Sequence, residues 1–78
     1  MKAQIEDFKN ILNEVLERKI VALDLTDRPK DIDGWDSLNH VYLIIKLEAH
    51  YNIKFNTAQV QKWICIDDIL NDINSLIK

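Results

Sequence analysis

Residues 36–51 read DSLNHVYLIIKLEAHY, a stretch with neither Gly nor Pro, whose apolar side chains are too crowded for an alternating strand. Wound at about 100° per residue, Leu43, Ile44, Leu47 and Tyr51 gather in one sector, and Leu38, Val41, Tyr42, Ile45 and Ala49 fall nearly opposite. Asn39, Lys46 and His50 divide the two sectors on one side, with Glu48 alone on the other. A surface helix in a small bundle needs only one apolar stripe. Either this helix is central and buried all round, or one stripe packs inward while the other meets partner proteins. Asp36 can accept a hydrogen bond from a free amide of the first turn, so the helix is expected to start at Ser37. It should end near Tyr51–Asn52.

Outward from this segment, the chain reads as helices joined by one long loop. Ile5, Phe8, Leu12, Val15 and Leu16 recur at helical spacing, which predicts a first helix from about Ala3 to Arg18. From about Lys19 to Asp36 lie the only Pro and Gly, with Asp24, Asp27, Asp31 and Asp33 suited to turns. This is a long loop, expected to be pinned by Val21, Leu23, Leu25 and Ile32, and a loop of such length in a small domain usually has functional meaning. Asn56 or Thr57 should cap a short third helix reaching about Lys62. The last helix repeats Ile66, Ile69, Leu70, Ile73, Leu76 and Ile77, with Asp67 and Asp68 in its favourable first turn. Cys65 stands where a capping Ser or Thr is usual, so that cap is expected to be weak. The fold class is all-α: a four-helix bundle of three main helices and one short one, in a single domain over residues 1–78.

Composition narrows the function. A chain of 78 residues buries only about 60% of the surface its unfolded form exposes, and such a core rarely supplies more than ~3–5 kcal/mol. A deep catalytic cavity is therefore not expected; a carrier, adaptor or binding module is. The net charge of -3 and pI near 5.2 disfavour nucleic acid as a partner and permit a basic protein. One cysteine, Cys65, excludes an internal disulfide and argues against a structural zinc site. The opening MKAQIEDFKN carries charges throughout and does not read as a signal peptide. The longest apolar run, Val41 to Ile45, is too short for membrane insertion. A cytoplasmic monomer is the expectation.

Ser37 then poses a chemical question. Asp36, Ser37 and His40 contain the side chains of a hydrolytic triad, but Asp36 is needed as a cap and no G-x-S-x-G elbow or oxyanion-hole loop accompanies them. An enzyme is not expected. Serine is also common in first turns with no chemistry attached. The third reading is covalent attachment of a phosphate-linked group, because a helix N-terminus presents free amides and the positive end of its dipole. Gly34, lacking Cβ, would let the loop turn tightly and leave room for a modifying enzyme. Trp35 would fix the approach of the chain as a hydrophobic staple.

At these residues, GWDSLNHVYLIIKLEAHYNIKF (34–55) resembles the phosphopantetheine-attachment region of acyl carrier proteins and related peptidyl carrier domains. The resemblance rests on the Asp36–Ser37–Leu38 triplet, Gly34, Leu43 and Leu47, and IDDILNDI (66–73), and extends over nearly the whole chain. It implies that Ser37 receives 4'-phosphopantetheine from coenzyme A through a phosphopantetheinyl transferase, with Asp36, Gly34 and Leu38 around the attachment site. The arm's thiol would carry an acyl or aminoacyl thioester to loading and downstream enzymes, which would dock on Leu38, Val41, Tyr42 and Ile45. Leu43, Leu47 and Tyr51 match the family's core positions. Carriers of primary fatty-acid synthesis usually have a markedly acidic second helix. Here Glu48 stands against Lys46, so a dedicated carrier of a specialised pathway (polyketide, peptide, modified sugar or lipid) is expected. The competing class is an unmodified helical module that docks one partner through Leu38, Val41 and Ile45. His40 and His50 read as ordinary helix residues, and Trp63 as core or core-edge.

Overall fold

The computed structural model describes residues 3–77, which form four α-helices: α1 (Ile5–Leu16), α2 (Ser37–Tyr51), α3 (Thr57–Gln61) and α4 (Ile66–Leu76). Among the described residues there is no strand. The expected order and fold class hold. Phe8, Leu12, Leu43, Leu47, Ile66, Ile69 and Ile73 are fully buried, so α1, α2 and α4 each give one stripe to a shared core. Tyr51 and Ile53 close it at the far end of α2.

Local chemistry sets the helix ends. α1 is shorter than expected: Glu17 turns left-handed (φ 54°), and its amide bonds back to the Asn13 carbonyl. The Asn13 side chain then clasps both backbone groups of Ile20, at 2.9 and 3.2 Å, which directs the chain into the loop. α2 ends on Asn52 in the same left-handed conformation (φ 55°), a position that asparagine tolerates better than most residues. Asn56 caps α3 through a reciprocal box with Gln59, at 2.8 and 3.1 Å.

The long loop is not pinned as the sequence suggested. Leu23 and Ile32 do pack on the core, joined by Ile20, but Val21 is 86% exposed and Leu25 44% exposed. Leu25 and Asp27 anchor the loop by backbone instead, their carbonyls accepting from the amides of Asp67 and Ile66 at 2.9 Å each. Pro29–Asp31 adds a 3₁₀ turn within the loop, with Pro at its first position, where the missing N–H costs nothing. Cys65 is the weak cap expected, with no side-chain cap hydrogen bond of its own, but other groups hold the start of α4. Those two carbonyls satisfy the first amides of α4, and the Asp68 carboxylate accepts from Ile64 (2.9 Å) and Cys65 (3.3 Å).

Candidate functional site: the start of the second helix

Asp36 is the N-cap of α2, its carboxylate accepting from the Asn39 amide at 2.8 Å. Asn39 answers by donating its side-chain amide to the Gly34 carbonyl, also at 2.8 Å. This second bond was missed in the sequence, although position N3 of a helix is where reciprocal capping residues sit. Ser37 follows at the first helical position, with an exposed side chain. The amides of Ser37 and Leu38 have no hydrogen-bond partner among the described residues. An exposed hydroxyl beside free helix amides can carry an anionic substituent at little electrostatic cost.

Two aromatic residues stiffen this corner. Trp35 precedes the cap and His40 occupies the fourth helical position, so the expected staple forms between them, with ring centroids 6.0 Å apart. A hydrogen bond strengthens it: the Trp35 indole N–H donates to His40 Nδ1 at 2.9 Å. Trp35 also lies 6.5 Å from Phe8 of α1, and His40 meets Trp63 edge-on at 5.8 Å. Trp63 is partly buried against the core and donates to Asp72 at 2.7 Å. Burial pulls the His40 pKa below its usual value, and a neutral imidazole is what an Nδ1 acceptor requires. With Nδ1 held by Trp35 and the Asp36 carboxylate by Asn39, these side chains are not arranged as a triad around Ser37.

Gly34 has φ +88°, a backbone that favours glycine, so the tight turn is as expected. The free space is not. A Cβ there would lie 2.8 Å from Arg18 Nε, because Arg18 folds over the glycine and pairs with Asp33 at 3.1 Å. Nothing in the sequence near Gly34 announces Arg18.

The two stripes of α2 separate, except that Ile44 of the expected inward sector is only partly buried and stays outside the core. Leu43, Leu47 and Tyr51 are buried, while Leu38, Val41, Tyr42 and Ile45 are all at least half exposed. The reading of a helix buried all round is thereby excluded. The charged residues of α2 are occupied elsewhere: Lys46 pairs with Glu14 of α1 at 3.0 Å, and Glu48 accepts from the Phe55 amide at 3.0 Å. The exposed stripe is therefore apolar and uncharged. Among the described residues no cluster of metal-ligating side chains occurs, and no helix is long and apolar enough to cross a membrane.

A small helical bundle with an exposed hydroxyl at one helix start, and an apolar face running from it, has the layout of a carrier domain. No protein-family model matches the chain. It is, however, 32% identical over 76 residues to an acyl carrier protein of Campylobacter jejuni strain RM1221, covering 97% of this chain and 99% of that one. An acyl carrier protein of Campylobacter concisus is 29% identical over the same share. The solution structure of a holo acyl carrier protein from Geobacter metallireducens superposes with a TM-score of 0.85 at 32% identity, covering 92% of this chain and 83% of that one. The chain belongs to the acyl carrier protein family. It is a carrier and not an enzyme.

Proposed function

We propose that Ser37 bears a 4'-phosphopantetheine arm, and that residues 1–78 act as one discrete carrier domain, monomeric and cytoplasmic. The observation that carries this reading is the exposed Ser37 hydroxyl at the first position of α2, beside unpartnered amides, in a chain of this family. The arm supplies a thiol that holds an acyl or aminoacyl group as a thioester. The protein's own residues do the rest. Asp36 and Asn39 hold the helix start in register for a phosphopantetheinyl transferase, and Gly34 makes the turn that presents it. Leu38, Val41, Tyr42 and Ile45 form the face on which that transferase and the loading and downstream enzymes dock. A tether of this kind raises the effective concentration of its cargo at each partner. The uncharged stripe favours a dedicated carrier of a specialised pathway, whose partners read apolar shape more than charge.

The test is intact mass after co-expression with a broad-specificity phosphopantetheinyl transferase. The wild-type chain is expected to gain one phosphopantetheine mass, and Ser37→Ala none. Modification that persists in Ser37→Ala, or that maps to Ser75, would overturn the assignment. An unmodified wild-type chain that still binds a partner through Leu38, Val41 and Ile45 would favour the interaction module.

A further inference from the structure

We propose that the shallow depression beside Ser37 seats the first segment of the arm, its phosphodiester and pantoyl group; this rests on the reading of Ser37 as the attachment site. The depression has a volume of about 620 Å³ and lies between the 3₁₀ turn and the start of α2. Pro29 and Lys30 wall it from the turn; Ser37, His40 and Val41 wall it from α2, with Trp35 between. Ser37, His40 and Val41 stand at i, i+3 and i+4, so they share one face of the helix.

The chemistry of the walls matches the two halves of that segment. A phosphodiester needs a cation and amide donors. The neighbouring arginines of this region are committed, Arg18 to Asp33 at 3.1 Å and Arg28 to Asp31 at 2.8 Å. Lys30 makes no ion pair among the described residues, and so remains the cation in the wall. The one carboxylate in the lining, Asp36, is turned to the Asn39 amide. The pantoyl group carries two geminal methyls, which suit the apolar surfaces of Trp35, Val41 and Pro29. Trp35 and His40 are already locked by their mutual hydrogen bond, so this wall needs little ordering on occupation.

The experiment uses the holo protein, with attachment at Ser37 first established by intact mass and peptide mapping. Nuclear Overhauser contacts from the pantoyl methyls to the Trp35 ring and Val41 methyls are then expected. The phosphodiester ³¹P resonance should be displaced from its position in the same protein unfolded in urea. Lys30→Glu, on an exposed turn, should keep the backbone amide spectrum yet move the ³¹P resonance toward the unfolded position and weaken those contacts. Lys30→Arg should preserve both. A fully loaded wild-type protein with no such contacts, and its ³¹P resonance at the unfolded position, would overturn the seat while leaving the attachment intact. Indifference of both signals to Lys30→Glu would overturn it too. Absence of the arm from Ser37 would overturn the attachment and the seat together.

Discussion

Asp36 combines two jobs within one side chain. Its carboxylate holds the Asn39 amide at 2.8 Å, and its position sets where Ser37 meets a transferase. Asp36→Ala is expected to cost about 0.5–2 kcal/mol through the lost cap, measured by urea unfolding, and to slow arm transfer. Transfer at the wild-type rate in a folded variant would reduce Asp36 to a cap. His40 makes a pH prediction. Burial lowers its folded pKa below the ordinary 6.5, so the unfolded chain takes up a proton first as the pH falls. The stability it contributes is complete above 6.5 and is lost as the pH drops through the lower folded value. Protonation also ends the Nδ1 acceptor role toward Trp35. The melting temperature should therefore fall more steeply just below pH 6.5 in the wild type than in His40→Gln. Parallel profiles would refute this. Asp68 acts in the same direction in a lower window, below 3.8, because the Ile64 and Cys65 amides lower its pKa.

At the scale of the element, α2 is a helix with two apolar faces and two fates. Leu43 and Leu47 are fully buried, whereas Val41 and Ile45 are 51% and 56% exposed. Val41→Glu and Ile45→Glu are accordingly expected to leave the far-ultraviolet circular dichroism and the melting temperature near wild type. Exposed substitutions of this sort usually change stability by no more than ~0.5 kcal/mol. Arm transfer, or loading by a downstream enzyme, should nevertheless be impaired. Two folded variants with full activity would remove this stripe from the docking face. At the other end of the bundle, α4 shows how an element borrows its start from elsewhere. Its first amides bond to the carbonyls of Leu25 and Asp27, so the long loop and α4 are stabilised together.

At the scale of the whole molecule, the distribution of charge sets how partners arrive. Long-range attraction speeds encounter and is weakened by salt. The exposed stripe of α2 is uncharged, and of the loop acids, Asp27, Asp31 and Asp33 are held in a turn or in ion pairs, while Asp24 makes no ion pair among the described residues. A shallow salt dependence of loading by the carrier's own partner enzyme is expected, with poorer service from a generic malonyl transferase. A rate with the generic enzyme that equals or exceeds the other, and falls steeply with salt, would mean that the loop acids from Asp24 to Asp33 replace the missing helix charges, and would refute the specialised pathway.

The sequence by itself determined the helices, their order and the cap at Asp36, because periodicity and capping are settled within a few residues of chain; between Asn56 and Thr57 as the cap of α3, the structure chose Asn56. It also revealed that α2 has two apolar sectors and that Ser37 begins one of them. Which sector turns inward was decided only when α1 and α4 packed against it, burying Leu43 and Leu47 and leaving Val41 and Ile45 in water. The same holds for Arg18 over Gly34, the Leu25 and Asp27 carbonyls on α4, and Lys30 beside Ser37. Each of these joins residues whose proximity depends on the path of the long loop. That path is fixed by burial of Leu23 and Ile32, which the sequence suggested, and by burial of Ile20 and backbone bonds to α4, which no local pattern encodes.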